Sequence, residues 1–242
     1  ERTNRRVSVT PIGLDVVEKA KRLLMIADEI RLSADAYADP LAGRLRLGTI
    51  PTIGPYLLPS ILQPLKLALP KVKFTICEDV TSSLEQRLCE GDIDAAITAT
   101  DVMQNGLGEM PLYDEPCRVA FPEGHAMDTG KDIDVTKIDT SELLLLKDGH
   151  CLSDQVAKLC GLARKSGVDG LDTQASSLET IVGLVAAGAG ITFLPVSSLS
   201  ANGTSRPGIS IRSAINKAAS RKVRLIYRET YPKRQVLAAV TA

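Results

Sequence analysis

Between Pro11-Ile12-Gly13 and the break at Pro40 and Gly43, apolar residues recur at helical spacing: Leu14, Val17, Ala20, Leu23, Leu24, Ile26, Ala27, Ile30 and Leu32. Charged residues fill the other face, so the pattern predicts an amphipathic helix of about six turns, Leu14 to about Ala36. A long helix ahead of a compact domain reads as a linker or a dimer contact. The plainer alternative is an ordinary N-terminal helix packed on its own domain. From Arg44 the period changes. Leu45–Ile50 reads as a strand, Tyr56–Leu69 as a helix, Val72–Glu78 as a strand, Ser82–Glu90 as a helix ending at Gly91, and Ile93–Ile97 as a strand. In the second half, strands are expected near Cys117–Phe121, Leu143–Leu146, Ile191–Phe193 and Val223–Tyr227. Helices are expected over Leu152–Leu162, Leu178–Ala187 and Arg234–Thr241.

The βαβαβ order predicts an α/β fold: two subdomains of mixed, largely parallel sheet, flanked by helices around a cleft. A length of 242 residues suits one large or two modest domains. Aromatic residues are only 3% and Trp is absent, so the core has to be built from Leu, Ile, Val and Ala.

Charge narrows the function. With 29 basic and 29 acidic residues the chain has no overall electrostatic reason to hold a nucleic-acid backbone, and only Glu1–Arg6 is locally basic. No apolar run reaches the roughly 18 residues that cross a bilayer, and no signal-peptide pattern is present, so a cytoplasmic location without membrane contact is expected. Five cysteines, an odd number, argue against a structural disulfide framework. There is no CxxC and no Cys/His pair at zinc spacing, and the only histidines are His125 and His150, so neither a metal nor another cofactor is expected. A reactive thiol must therefore be recognised by its surroundings.

Three segments carry candidate chemistry. The turn Ile50-Pro51-Thr52-Ile53-Gly54-Pro55 leaves the carboxyl end of a strand, where open α/β sheets bind ligands. Thr52 there is either a ligand hydroxyl or a helix cap, and Thr81 occupies a similar junction with the same two readings. In Lys147-Asp148-Gly149-His150-Cys151-Leu152-Ser153-Asp154-Gln155, a Gly turn places Cys151 at a helix start, where the dipole favours thiolate. His150 can donate to a sulfur or to an incoming oxygen, whereas a nearby Asp154 carboxylate opposes thiolate; a buried, inert Cys is the alternative. Cys160 lies nine residues on, about 13 Å along an intact helix and on its opposite face, and five cysteines give such spacings by chance. The third segment, Ala175–Thr180, pairs Ser176 with Glu179 as a capping box for a core helix.

Together these segments resemble the LysR-type transcriptional regulators. Val9-Thr10-Pro11-Ile12-Gly13 is similar to the end of the family's winged helix-turn-helix entering its linker helix. Gly43-Arg44-Leu45-Arg46-Leu47-Gly48 resembles the opening of its effector domain, and Val185-Ala186-Ala187-Gly188-Ala189-Gly190-Ile191 with Leu194-Pro195 its usual late motif. Ile50–Pro59, Asp148–Gln155 with Cys160, and Ala175–Thr180 narrow the likeness to the family's peroxide-sensing members.

The resemblance implies a periplasmic-binding-protein-like regulatory domain over 43–242, with subdomain I about 43–115 and 223–242 and subdomain II about 116–222. Residues 1–42 would be the end of the DNA-binding unit and a linker or dimerisation helix. It further implies that Cys151 is the peroxidatic thiol and Cys160 the resolving one, joined as a disulfide on oxidation. Since disulfides need Cα atoms within about 7 Å, the helix would have to unwind. Thr52, Thr81, His150 and Asp154 would place the peroxide, with Arg228 in support. The implied partners are hydrogen peroxide, glutaredoxin or thioredoxin as reductant, a second copy or a tetramer, and promoter DNA only through recognition helices this sequence does not contain.

Two departures bear on reactivity: Ser153 stands where better-known relatives carry Arg, and Gly161–Thr173 differs in length and composition. The competing readings are a LysR-type sensor of a small metabolite, a cysteine hydrolase, a turnover peroxidase and a solute-binding protein. The hydrolase lacks a separately positioned base, since His150 adjoins the thiol and His125 sits in a loop-like stretch. A peroxidase would differ only in repeated cycling, and the winged-helix remnant argues against a solute-binding protein.

Overall fold

The computed structural model describes residues 9–161, 175–199, 206–215 and 219–241, together with the backbone of 2–3 and 6–7. Two short strands, β1 (Arg2–Thr3) and β2 (Arg6–Val7), pair antiparallel ahead of helix α1 (Pro11–Ala38). Thr10 caps α1 by accepting from the Gly13 N–H at 3.1 Å, and Pro11 occupies a first-turn position where its missing N–H costs nothing. The helix is longer than the apolar spacing alone predicts. Its apolar side chains, among them Leu14, Leu23, Leu24 and Ile30, are exposed, and Leu32 is its one buried residue. The helix is therefore not packed along its length on the domain.

The chain continues as β3 (Gly43–Thr49), α2 (Gly54–Ala68), β4 (Val72–Glu78), α3 (Thr81–Cys89) and β5 (Ala95–Thr98). A long strand, β6 (Leu107–Pro122), leads to α4 (Cys151–Leu159), α5 (Leu178–Ala186), β7 (Thr192–Pro195), β8 (Ile209–Ser213), β9 (Ser220–Arg228) and α6 (Arg234–Thr241). The main sheet has the order β4-β3-β5-β9-β6-β7, and β8 also pairs with β6. Its ladders are mixed. β3 runs parallel to β4 and β5, as the βαβαβ reading requires, but β5–β9, β6–β9, β6–β7 and β6–β8 are antiparallel. Parallel strands are thus concentrated in the first half.

Buried side chains gather in two clusters, rich in aliphatic residues as the low aromatic content requires. One unites Leu45, Leu47, Leu84, Leu88, Ile97, Leu225 and Leu237; the other unites Val119, Phe121, Leu143, Ile181, Val185 and Phe193. β6 serves both clusters. Its Leu107–Pro116 segment pairs with β9, and Cys117–Pro122 lies between β7 and β8.

The strand expected at Leu143–Leu146 is instead an extended stretch with a single parallel bridge, Leu143 to Ile191. Leu144 N–H donates to the Ile191 carbonyl and Ile191 N–H to that of Glu142, both at 2.8 Å, and Lys147 N–H turns away to Ala175. The first half of β6 carries Gly108, Glu109, Pro111 and Asp114, which hide its strand period, and β8 has only five residues.

The Gly-rich turn after α5 has a packing reason. A Cβ on Gly190 would stand 2.3 Å from the Glu142 carbonyl oxygen, which is itself held by Ile191. The Gly190→Ala substitution is expected to cost about 1–3 kcal/mol in urea unfolding, because neither strand can withdraw without breaking that bridge. Wild-type stability in the variant would contradict this close approach.

Candidate functional site

The sequence Gly149-His150-Cys151 turns an extended segment into a helix. Gly149 has φ +94°, His150 is the helix N-cap residue, and Cys151 is the first residue of α4. Ser153 is buried, and its hydroxyl donates to the Leu146 carbonyl at 2.8 Å, tying the first turn of α4 back to the preceding segment. Gln155 ties the helix to the first half of the chain: its amide donates to the Ala99 carbonyl, just beyond β5, at 2.6 Å. Cys151 packs in the first hydrophobic cluster, whereas Leu152 and Val156 of the same helix pack in the second.

Cys151, 6% exposed, forms part of two hollows. Behind it lies a small recess lined by Ile50, Pro51, Thr52, Val80, Thr81, Gly149 and His150. In front is an open cleft of about 750 Å³, whose walls include Thr81, Glu85, Asp154, Gln155, Arg221 and Arg224. Thr52, Thr81, His150 and Asp154, all singled out in the sequence, thus converge on Cys151. Cys160 caps the far end of the same helix as a free thiol. The stretch 162–174, which takes in most of the segment expected to differ from the relatives in length and composition, lies outside the described residues.

The side chain that organises this group is Arg221, which the sequence reading did not single out. It lies on β9, 2% exposed, opposite Glu115 of β6 in the ladder. Its guanidinium bonds the Glu115 carboxylate at 2.7 and 2.8 Å, the Thr52 hydroxyl at 2.8 Å and the Thr52 carbonyl at 2.9 Å. The other Glu115 oxygen accepts from Ser197 N–H at 2.9 Å. Thr52 is therefore not a helix cap: Ile53 holds that position, and the Thr52 oxygen is occupied by a cation. Thr81, likewise, is the first residue of α3 rather than its cap. No local pattern reveals Arg221; only the β6–β9 register brings it to Thr52.

Arg228 lies elsewhere. It donates to the carbonyls of Leu88 and Ile93 at 2.8 and 2.7 Å, in the first cluster and facing α1. The structure does not bring it to Cys151. The capping box expected from Ser176 and Glu179 is also absent: Ser177 is the N-cap residue, without a side-chain bond. Glu179 pairs instead with Arg206 and accepts from Tyr56 at 3.0 Å, charged and hydroxyl partners that outcompete a backbone N–H.

Electrostatics at the thiol oppose each other. Burial pushes the Cys151 thiol above its usual range; the Arg221 cation, the Thr81 hydroxyl and the residue's own backbone N–H draw it down, and Asp154 adds a small upward push. Burial wins, so the helix start alone does not make this sulfur a resting thiolate, contrary to the dipole argument. Cys117, also buried, is pushed up to about 11 by burial. The His150 imidazole is pushed down by burial and by Lys147, and its Nε2 is buried without a hydrogen-bond partner among the described residues. A neutral imidazole, a hydroxyl and a cation thus surround a protonated sulfur.

Helices on a mixed sheet, two cores and a reactive-group cluster in the cleft between strand ends describe the effector domain of LysR-type regulators, and the chain belongs to that family. The profile of the LysR substrate binding domain matches residues 38–242. Relatives include proteins named hydrogen peroxide-inducible genes activator or OxyR. A "Probable hydrogen peroxide-inducible genes activator" of Mycobacterium leprae is 39% identical over 220 residues, covering 90% of this chain and 68% of the relative. Full-length OxyR of Pseudomonas aeruginosa with a cysteine-to-aspartate change is similar at TM-score 0.80 and 32% identity, over 100% of this chain and 80% of that one. A cysteine-to-serine mutant of Corynebacterium glutamicum OxyR with hydrogen peroxide bound reaches TM-score 0.78 at 34% identity, over 100% of this chain and 76% of that one.

Two expectations follow. Replacing Arg221 by Met leaves Glu115 buried without its cation, at a cost of about 3–5 kcal/mol in urea unfolding. Adding Glu115→Gln should recover part of that loss. In both proteins alkylation of Cys151 should require a higher pH than in wild type; an unchanged pH profile would remove Arg221 from the thiol's electrostatics. His150 is neutral in the fold, so it contributes stability above its usual value near 6.5 that is lost as pH falls below it. The stability difference between wild type and His150→Asn should accordingly turn against wild type on acidification from about pH 7 to about pH 5.5.

Proposed function

We propose that this chain is the peroxide-sensing regulatory domain of a transcription regulator, with Cys151 as its redox-active thiol. The observation that carries the reading is the convergence of Thr52, Thr81, His150 and Arg221 on a buried sulfur at one end of α4, with a second thiol, Cys160, at the other end.

Peroxide enters from the cleft and takes hydrogen bonds from the Thr81 hydroxyl and, through a neutral ring, from His150, with Asp154 on the cleft side. The Cys151 proton leaves as the sulfur attacks one peroxide oxygen. The S–O bond forms, the O–O bond breaks, and the departing oxygen takes the proton as water, leaving Cys151 as a sulfenic acid. Arg221 stabilises negative charge on the sulfur as it attacks. Attack by the Cys160 thiol then forms the S–S bond and releases a second water. Since α4 separates the two sulfurs, that step requires the helix to unwind, and unwinding is the signal. Ser153, bonded within the domain, supplies no charge; the cation beside the sulfur is Arg221.

The domain acts within a longer protein that reaches promoter DNA through a separate winged-helix unit, with α1 as linker and contact to a second copy. The regulatory part divides into subdomain I, about 43–115 and 223–242, and subdomain II, about 116–222. It acts in the cytoplasm as a switch reset by a glutaredoxin or thioredoxin, and it does not turn over substrate as an enzyme.

A metabolite-sensing reading is favoured by one observation, the open cleft with Glu85, Lys222 and Arg224 on its walls. Non-reducing peptide mapping after one equivalent of hydrogen peroxide separates the two. A Cys151–Cys160 disulfide is expected in wild type, an accumulated sulfenic acid at Cys151 in Cys160→Ser, and no fast oxidation in Cys151→Ser. Five free thiols after treatment would discard the peroxide reading and leave the cleft as the sensor.

A further inference from the structure

A second buried charge cluster lies between the first hydrophobic cluster and α1, away from the thiol. Asp94, 2% exposed, takes the Arg46 guanidinium at 2.7 and 3.1 Å and the Arg46 backbone N–H at 2.7 Å. The same carboxylate lies 3.8 Å from Arg228, which is 5% exposed and whose Nε has no hydrogen-bond partner among the described residues. Two guanidiniums therefore share one buried carboxylate, and within the globular part the cluster carries an excess positive charge.

The compensating charges come from α1. Asp28 lies 3.9 Å from Arg46, while also pairing with Arg31 of its own helix at 2.7 Å. Glu29 lies 3.6 Å from the orphan Arg228 Nε and accepts from the Thr230 hydroxyl at 2.5 Å. Lys21 and Glu90 meet at 3.9 Å one helical stretch earlier. Apolar anchoring is slight by comparison, since Leu32 is the one buried residue of α1. Removing α1 would take the two carboxylates away from the cluster and leave its positive charge without them, whereas α1 itself would lose little buried apolar surface.

We propose that Asp28 and Glu29 form an electrostatic latch that docks α1 on the Arg46–Asp94–Arg228 cluster and releases it without unfolding the domain. α1 is then a strap whose attachment is set by charge. The inference is independent of the redox reading, because it involves neither cysteine.

Hydrogen exchange read by mass spectrometry on peptides spanning 21–38 tests it in the full chain. The isosteric pair Asp28→Asn/Glu29→Gln should speed exchange there about tenfold, because a lone helix of this length is marginal in water, with β3, β5 and β9 unchanged. Raising salt from about 0.1 M to about 1 M should move wild type the same way, since the screening length falls from about 10 Å to about 3 Å. Arg31→Gln, which removes the pairs internal to the helix but keeps the latch, should exchange more slowly than the double variant. Unchanged exchange in the double variant would overturn the proposal. So would loosening of the strands together with α1, or failure of the double variant to fold, because either would make the contacts part of the cooperative core.

Discussion

The Arg221 guanidinium is held on one side by Glu115 and on the other by the hydroxyl and carbonyl of Thr52, almost wholly out of water. Burying such a pair is costly unless its donors and acceptors are met, and here four contacts engage the guanidinium while Ser197 N–H takes the remaining Glu115 oxygen. The pair fixes three things at once. It locks β9 to β6 at the point where the sheet passes between its two cores. It pins the Ile50–Pro55 turn, and with it the floor of the recess. It also places a permanent cation near a sulfur that burial would otherwise keep inert. Without it the convergence on Cys151 would lose both its geometry and its charge.

Around that fixed point the thiol sits in a deliberately conditional place. α4 contributes Cys151 to one core and Leu152 and Val156 to the other, and two hydrogen bonds, from Ser153 and Gln155, tie it to different parts of the chain. A helix of nine residues is too short to persist by itself. Its folded state depends on tertiary contacts that a covalent change at its first residue would disturb directly.

Much of this was legible in the residues. The periodicity of 44–97 located the parallel strands and their helices, and Gly149-His150-Cys151 announced a strand-to-helix turn carrying a thiol. The Ile50–Pro55 and Asp79–Ser83 junctions pointed to the same end of the sheet. What was hidden depended on pairing. β6 reads as a broken pattern because Pro111 and Pro116 lie along it, so its continuity appears only against β9. Arg221 and Arg224 stand three residues apart in a strand that also carries Lys222 and Arg228, and nothing local says that both are buried. Arg228 carried the expectation instead, seven residues too far along, where its carbonyl partners belong to the first core. For the thiol, helix polarity is visible in sequence, but the burial that pushes Cys151 up is not.

The sixteen-residue β6 strand runs from one core into the other, paired with β9 for most of its first part with one register shift between Pro111 and Tyr113. A domain joined by such a beam cannot open and close like a pair of jaws, because bending it would break ladder bonds in both halves. Its freedom is at the margins, in short helices and the segments that flank them. Local melting of such an element would leave the β6–β9 ladder standing, so the frame that holds the cleft would outlast a change in α4.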